Sequence, residues 1–219
     1  NQTFSSGGTI DNRTSYPNQL VCADYNSDGK VDVMCGGGLD IRYCQNSAAL
    51  SFTAKQVMQY AGNNHGACHG DFDNDGDVDL MEVGFTFMYW YRNESNGEFT
   101  PIQLQDNGFS YITTNYGINI RTADMDGDGD EDAIYTENDN NKISWIENKG
   151  NGLFAYHFAA SVMGPYSLEP IDFDDDGDMD FVSGSTADDA VYWYENNGSQ
   201  TFTEHMVSGM YWDPFSVRV

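Results

Sequence analysis

Short apolar runs alternate with polar, turn-forming stretches along the whole chain, and the same order of segments occurs four times. In each copy an apolar run (VMC, LMEV, AIYT or FVSG) is followed by a mixed aromatic segment that closes on Asn (IRYCQN, MYWYRN, ISWIEN or VYWYEN). Six residues after that Asn comes a Phe, at Phe52, Phe99, Phe154 and Phe202. Val, Ile, Phe, Tyr and Trp separated by Gly, Asn and Asp are typical of strands and turns, so the pattern predicts β-strands.

A nine-residue acidic stretch precedes each apolar run. These loops read DYNSDGKVD, DFDNDGDVD, DMDGDGDED and DFDDDGDMD, at 24–32, 71–79, 124–132 and 172–180, with periods of 47, 53 and 48 residues. Four strands in about 49 residues, repeated, are the layout of a propeller blade. We therefore expect an all-β fold, a single β-propeller region spanning 1–219 with four visible blades, in which each loop joins the first and second strands of its blade.

The phase of the repeat bears on how the blades close. The opening NQTFSSGGTI matches QTFTEHMVSG at 200–209, a last strand, and the closing FSVRV falls at a first-strand position. A four-bladed ring would have to close by pairing these two ends. We favour a segment of a larger propeller or array, because the ends represent the fourth strand of one blade and the first strand of another.

The second loop by itself satisfies an EF-hand pattern, since Glu82 stands at the twelfth position, where an EF-hand uses a bidentate Glu. However, Cys35, Tyr135 and Ser183 occupy that position in the other copies, and an EF-hand loop lies between helices. All four loops instead have Asp at position 9. We therefore interpret each loop as a calcium-binding connection between strands, closed by its ninth residue.

The candidate calcium ligands are the side chains at loop positions 1, 3, 5 and 9 and the backbone carbonyl at position 7. In chain order these residues are Asp24, Asn26, Asp28, Lys30, Asp32, Asp71, Asp73, Asp75, Asp77, Asp79, Asp124, Asp126, Asp128, Asp130, Asp132, Asp172, Asp174, Asp176, Asp178 and Asp180. All-oxygen, carboxylate-rich coordination favours Ca²⁺ over zinc or copper, and Mg²⁺ retains more water. We expect about four Ca²⁺ ions, with the first loop weakest because of Asn26 and Lys30.

Charge narrows the range of partners. The chain has 35 acidic against 9 basic residues and a net charge of −26, and the four loops contain 3, 5, 6 and 6 of those acids. Such a surface repels nucleic acid and anionic membranes. Because no stretch reaches 18 apolar residues, we expect no membrane insertion.

Cysteines and sequons bear on the compartment of the protein. Cys22, Cys35, Cys44 and Cys68 form an even set, which suggests an oxidising compartment. Three pairings are possible; Cys22–Cys35 would bridge the strands that flank the first loop, Cys35–Cys44 would bridge the next hairpin, and the sequence does not choose. Sequons for N-glycosylation occur at Asn1, Asn12, Asn93 and Asn197, close to the number that chance supplies in such a composition.

Other candidate chemistry is weaker. A zinc site from His65, Cys68 and His69 matches no known spacing. His157 and His205 occupy the same fourth-strand position in two blades, which indicates a feature of the repeat. The same third-strand position is aromatic in every blade, as Tyr43, Trp90, Trp145 and Trp193. We interpret these aromatics as packing between blades, and a sugar-stacking platform is the alternative. Tyr60, Tyr116, Tyr211 and Trp212 are candidates for an exposed aromatic contact. Nothing singles out a catalytic pair.

The phrases ADMDGDGDEDAIY, DFDDDGDMDFV and VYWYENNGSQTFTEHMV resemble the FG-GAP/VCBS family, the calcium-loop blades of integrin α-subunit propellers and many secreted proteins. The resemblance covers essentially the whole chain and implies a propeller, calcium in each loop and a secreted or cell-surface location. We expect a non-enzymatic binding or adhesion module, lectin-like in one version, with a glycan or an extracellular protein as its ligand. The alternatives are a self-associating structural unit of an extracellular filament or sheath, and part of a propeller-type polysaccharide lyase or hydrolase.

Overall fold

The computed structural model describes residues 17–37, 40–48, 51–59, 64–84, 87–104, 119–209 and 216. These residues form sixteen strands in four sheets, numbered here in chain order. The first sheet comprises β1 (Pro17–Ala23), β2 (Asp32–Gly37), β3 (Asp40–Ala48) and β4 (Ser51–Gln59). The second comprises β5 (Asn64–Gly70), β6 (Asp79–Gly84), β7 (Met88–Asn93) and β8 (Phe99–Gln103). The third comprises β9 (Ile120–Ala123), β10 (Asp132–Glu137), β11 (Lys142–Asn148) and β12 (Phe154–Ser161). The fourth comprises β13 (Pro165–Ile171), β14 (Asp180–Ser185), β15 (Ala190–Asn196) and β16 (Phe202–Gly209).

Each sheet is an antiparallel meander whose strands follow chain order, as expected for a propeller blade. The acidic loops join the first strand of each sheet to the second, and the predicted third and fourth strands lie where the repeat placed them. Every closing Asn pairs directly with its Phe, as Asn148 does with Phe154. The constant six-residue interval is therefore the register of the last hairpin in each blade.

Hydrophobic cores lie between successive sheets. Strand β10 shows why its apolar run is continuous: Ala133 and Tyr135 face the second sheet, while Ile134 faces the fourth. Side chains alternate between the two faces of a strand, and both faces are covered here, so no polar alternation is left in the sequence. The inner strands β1, β5, β9 and β13 pack against one another in that order.

The series of sheets is open. Within the described residues, no comparable packing joins the fourth sheet back to the first, so these residues do not form the four-bladed ring that was the alternative arrangement. The two sequence segments on which that comparison depended, 1–10 and 215–219, lie outside the described residues except for residue 216. Among the residues described, no helix has the length and apolar character needed to cross a membrane.

Candidate metal centres

The carboxylate at position 1 braces each loop from inside. Asp71 accepts hydrogen bonds from the backbone N–H groups of Asp75 (3.0 Å) and Gly76 (2.9 Å). Asp24 and Asp172 hold the N–H groups of positions 5 and 6 in the same way, whereas Asp124 holds those of positions 4 and 6. The loop is thereby curled around its first residue, which turns the following carboxylates toward one concave side.

Glycine at position 6 is required by backbone conformation. Gly29, Gly76, Gly129 and Gly177 have φ values of +82°, +92°, +95° and +97°. A Cβ at any of them would meet no atom within 4 Å, so crowding is not the reason for glycine. These φ values lie beyond the range of about +50° to +70° that residues with a Cβ adopt, so the backbone conformation itself favours glycine. Position 4 is also left-handed, in Ser27, Asn74, Gly127 and Asp175, a regularity that the varied residue types hid in the sequence.

Three of the four loops bring carboxylate oxygens together. The groups are Asp71, Asp73 and Asp75 in the second loop, Asp124, Asp126 and Asp132 in the third, and Asp172, Asp174 and Asp180 in the fourth, with the oxygens of each group within 4.8 Å of one another. Each group can hold a metal ion. In the second loop Oδ1 of Asp73 is buried with no hydrogen-bond partner among the described residues. A buried, unsatisfied carboxylate oxygen fits a cation, because leaving it bare is costly.

The carboxylates at position 3 are held in an unfavourable electrostatic environment. Desolvation, followed by the neighbouring carboxylate at position 5, raises the pKa of Asp73, Asp126 and Asp174 above the ordinary aspartate value. Like charges at close range disfavour ionisation, and a bound divalent cation reverses that effect. The donor set is entirely oxygen and rich in carboxylate, which fits Ca²⁺.

The first loop differs, as its sequence predicts. Lys30 Nζ lies 3.0 Å from Asp28 Oδ2, and this hydrogen bond lowers the pKa of Asp28. Asn26 replaces the position-3 carboxylate, and its amide donates to the Tyr43 hydroxyl (3.0 Å). The loop keeps the fold of the others, but Lys30 already offsets part of its negative charge.

Position 9 has a second role that the sequence does not reveal. Asp79 is fully buried; its Oδ1 accepts from the backbone N–H of Asn93 (2.7 Å) and its Oδ2 from Trp90 Nε1 (2.9 Å) and from the N–H of Phe72 (3.2 Å). Burial raises the pKa of Asp79, and likewise of Asp132, to about 7. The position-9 aspartate therefore ties its loop to the third strand. In the third and fourth loops the same residue, Asp132 or Asp180, also belongs to the group of three carboxylates that can hold a metal ion.

The side chains at position 7 lie outside the metal groups. Asp130 Oδ1 instead accepts a hydrogen bond from Asn74 Nδ2 of the preceding loop (2.7 Å), and Asp77 Oδ1 accepts a longer one from Ser27 Oγ (3.4 Å). The prediction for position 7 concerned its carbonyl, and it stays a prediction.

The structure excludes the EF-hand interpretation. Glu82 is buried in β6, where its carboxylate accepts a hydrogen bond from the Tyr91 hydroxyl. Strands, not helices, flank the loop, so the match at the twelfth position is a coincidence.

None of the four cysteines forms a disulfide bond. Leu20 and Arg42 lie directly opposite Cys35 in the first sheet, while Cys22 and Cys44 lie opposite Val33. Cys22–Cys35 and Cys35–Cys44 are therefore diagonal pairs, about 7–8 Å apart in an antiparallel sheet, beyond the reach of a bridge. The described residues therefore form neither of these two bridges.

The structure also bears on the sequons and on the zinc alternative. The sequon at Asn93 is unsuited to glycosylation, because this side chain is buried and donates to the carbonyls of Tyr25 and Val78. Asn197 is exposed, and Asn1 and Asn12 lie outside the described residues. Burial raises the pKa of the Cys68 thiol to about 12, and adjacent residues of a strand such as Cys68 and His69 point to opposite faces, which disfavours the zinc alternative. The His65 side chain is not described.

The repeated aromatics belong to the architecture. Trp90 and Trp145 are buried in the inter-sheet cores, as core packing predicts, and Trp193 donates to Asp180. His157 and His205 stack on Trp145 and Trp193, with ring centroids 4.5 and 4.6 Å apart. The proposed exposed aromatics Tyr60, Tyr116, Tyr211 and Trp212 all lie outside the described residues.

Comparison with known proteins identifies the repeat unit. A family model described as an FG-GAP-like repeat matches residues 24–82, 71–135, 124–183 and 172–219. No curated protein sequence matches the chain significantly.

Solved structures share the fold at low sequence identity. A lectin of Agrocybe aegerita that recognises non-reducing terminal N-acetylglucosamine is similar with a TM-score of 0.64 and 21% identity, over 89% of this chain and 53% of the lectin. An auxiliary nutrient binding protein of Bacteroides ovatus has a TM-score of 0.56 and 10% identity, over 90% of this chain and 48% of that protein. The biofilm matrix protein Bap1 of V. cholerae has a TM-score of 0.50 and 18% identity, over 90% and 32%. The chain thus spans about half the length, or less, of these proteins.

Proposed function

The chain belongs to the family of FG-GAP-like repeat proteins, and from that premise we propose that it is an extracellular, calcium-binding propeller region with a non-enzymatic binding function. Its ligand is a glycan or an extracellular protein. The calcium ions are structural, and the fold presents the binding surface. The observation that carries the proposal is the convergence of three carboxylates in each of three loops, together with the buried, unsatisfied oxygen of Asp73.

The residues that would hold the ions are the side chains at positions 1, 3, 5 and 9 with the carbonyl at position 7. When bound, Ca²⁺ supplies positive charge to a site whose carboxylates repel one another. The chain itself orients those carboxylates through the N–H groups that brace position 1 and through the buried bonds of position 9. An ion that binds only the folded loop adds its binding free energy to stability.

Net charge supports an uncharged ligand over an anionic one. Four Ca²⁺ ions would reduce the net charge of −26 only to about −18. An acidic polysaccharide, the substrate class of the lyase alternative, would therefore be repelled by this region. The likeness to the Agrocybe aegerita lectin is a likeness of fold, and it makes neutral glycans the first ligands to test.

A glycan array tests the proposal. The purified natural protein is applied in buffer with calcium, with magnesium and with EGTA. Binding to a narrow class of neutral glycans in calcium, lost in EGTA and not restored by magnesium, is the expected result. Binding that is equal in calcium and EGTA contradicts a structural role for the ion, and absence of glycan binding in every buffer removes the lectin-like version in favour of a protein ligand.

A further inference from the structure

The backbone that enters the second acidic loop is held by side chains of the third blade. Thr122 Oγ1 donates a hydrogen bond to the carbonyl of His69 (2.7 Å), two residues before the loop. The Glu131 carboxylate accepts one from the backbone N–H of Asp71 (2.6 Å), the first residue of the loop. The two contacts lie on either side of Gly70, so the third blade fixes the chain at the point where the second loop begins.

Gly70 leaves the space that this approach requires. A Cβ at Gly70 would overlap Oε2 of Glu131 and lie 3.0 Å from Cγ2 of Thr122. The residue before each of the other loops carries a Cβ, as Ala23, Ala123 and Ile171. The absence of a side chain at Gly70 therefore goes together with the presence of Glu131 in the neighbouring blade.

Two further contacts from the third blade reach the second loop itself. Asn148 Nδ2 donates to the carbonyl of Phe72, at position 2 (2.9 Å). Asp130 Oδ1 accepts from Asn74 Nδ2, at position 4 (2.7 Å). Because Asp130 and Glu131 are positions 7 and 8 of the third loop, one acidic loop directly holds the next.

The third and fourth loops provide a comparison within the same chain. This interface has, in place of Thr122, Glu131 and Asn74, the residues Pro170, Met179 and Gly127. These three side chains have no hydroxyl, carboxylate or amide with which to make the corresponding hydrogen bonds. The Asn196 amide still reaches the carbonyl of Met125, at a longer distance of 3.5 Å. The fourth blade therefore holds the third loop much less than the third blade holds the second.

The contact of Glu131 falls on the residue around which the second loop curls. The carboxylate of Asp71 holds the N–H groups of positions 5 and 6, and it belongs to the group of three carboxylates that can hold a metal ion. Fixing the N–H of Asp71 therefore fixes the start of that group. Glu131 acts through the backbone of Asp71, which makes it a positioning residue and not a ligand.

Binding of calcium by the third loop would in turn fix Glu131. The carbonyl of Asp130 and the carboxylate of Asp132 are candidate ligands on either side of it, so an ion held by both restricts the backbone that carries Glu131. With Asp71 and Asn74 already held, the second loop loses less conformational freedom when its own ion binds. Such preorganisation increases affinity.

We propose that the second and third loops bind calcium cooperatively, with Glu131 as the positioning residue that couples them, and that the third and fourth loops lack this coupling. The inference rests on the proposed calcium-binding function and concerns the regulation of the same sites. Coupling between two binding sites is reciprocal, so an ion in either loop raises the affinity of the other by the same factor. Charge alone acts in the opposite direction, because a bound cation repels the next one.

A calcium titration resolved by loop tests the proposal. Glycine in the natural protein is isotope-labelled, and the NMR signals of the amides of Gly76, Gly129 and Gly177 report on the second, third and fourth loops in calcium buffered with EGTA. Each of these amides is held by the position-1 carboxylate of its own loop. Asp126→Asn removes a carboxylate from the metal group of the third loop and is expected to impair that site.

The expected effect of Asp126→Asn differs between the two neighbouring loops. The free calcium concentration at half-occupancy of the second loop should rise about fivefold. That of the fourth loop should stay the same or fall, because an empty third loop is more negative than a calcium-loaded one. Charge alone would make both neighbours bind more tightly, so the sign of the change in the second loop separates coupling by contact from coupling by charge.

Substitutions of Glu131 separate its hydrogen bond from its charge. Glu131→Met copies Met179 and removes the acceptor, so the second loop should weaken by a similar factor, and adding Asp126→Asn should weaken it no further. Glu131→Gln removes the charge but keeps an oxygen that can accept from Asp71, so the coupling should be retained. Gly70→Ala displaces the carboxylate without changing any charge and should behave as Glu131→Met does.

The possible results distinguish this inference from the function on which it rests. Equal effects of Asp126→Asn on the second and fourth loops overturn the coupling, and so does an effect on the second loop that persists in full in Glu131→Met. Loops that fill independently of one another overturn the coupling and leave the calcium-binding function in place. Absence of saturable binding overturns both. A dispersed amide spectrum at each calcium concentration confirms that each variant is folded before it is compared.

Discussion

Glu82 is a buried carboxylate with no counter-charge beside it among the described residues. One oxygen accepts the Tyr91 hydroxyl, and Oε1 has no hydrogen-bond partner among the described residues. The neighbouring cavity, lined by Val21, Met34 and Leu80 among others, has a volume of about 10 Å³, room for one water at most. Burial is the main cause that raises the pKa of Glu82 to about 8.

The raised pKa fixes the sign of a pH effect. Between the ordinary glutamate pKa and about 8, the folded protein retains a proton that the unfolded chain has released. The contribution of Glu82 to stability is therefore greatest below its unfolded pKa and is lost as pH rises through that range. Glu82→Gln mimics the protonated side chain and removes this dependence. The free energy of unfolding of the variant minus that of wild type should then increase by about 1 kcal/mol per pH unit between pH 5 and 8.

Urea denaturation at a series of pH values, with calcium saturating, measures this difference. Taking the variant minus wild type cancels the pH dependence of calcium binding and of the other carboxylates. Glu98→Gln is the matched control, since Glu98 is exposed and its carboxylate pairs with Lys55 on the surface. Parallel stability curves for wild type and Glu82→Gln would refute the reasoning.

Three further predictions concern the loops and the interfaces. Calcium should stabilise the folded protein by about 3 kcal/mol per site when its concentration is one hundred times the dissociation constant. A scanning calorimeter should therefore record a higher melting temperature in calcium than in EGTA, and an unchanged melting temperature would argue against structural ions. Gly177→Ala should cost about 1–2 kcal/mol in chemical denaturation, because φ is +97° although nothing crowds the site; a neutral result would mean that the loop relaxes. Asn148→Ala should cost about 1–3 kcal/mol, because the buried carbonyl of Phe72 loses its donor, whereas exposed Asn197→Ala should cost less.

The repeat made most of the fold predictable. Loop boundaries, strand order and the register of the last hairpin follow from the spacing of Asp, Gly, Asn and Phe, because each is a backbone requirement repeated four times. Gly76 marks a left-handed turn, and the interval from Asn93 to Phe99 is a cross-strand pair. That the described first loop has no group of three carboxylates could also be read directly, since Asn26 stands at position 3.

Contacts between blades could not be predicted in this way. Asn148 was recognised as the end of a strand, yet its amide reaches a carbonyl 76 positions earlier in the sequence. Its place in the loop predicts Asp132 as a calcium ligand, whereas its burial and its bond to the backbone of Asn148 depend on packing of the third strand. The sequence positions of the cysteines suggested bridges, because spacing along the chain does not reveal that two residues are diagonal neighbours on adjacent strands. The period of the sequence gives the position of a residue within its blade. The inter-blade hydrogen bonds, the burial of Asp132 and the cysteine distances depend instead on how strands and blades pack together.

The central claim is that the acidic loops bind calcium, and a calcium titration of the EGTA-stripped protein tests it most directly. Isothermal titration calorimetry is performed on wild type and on Asp73→Asn, Asp126→Asn and Asp174→Asn, each of which removes the position-3 charge from one metal group. The account predicts saturable binding by the second, third and fourth loops, a weaker event from the first, and loss or marked weakening of one site in each variant. Absence of saturable binding, or variants that bind as wild type does, would contradict it.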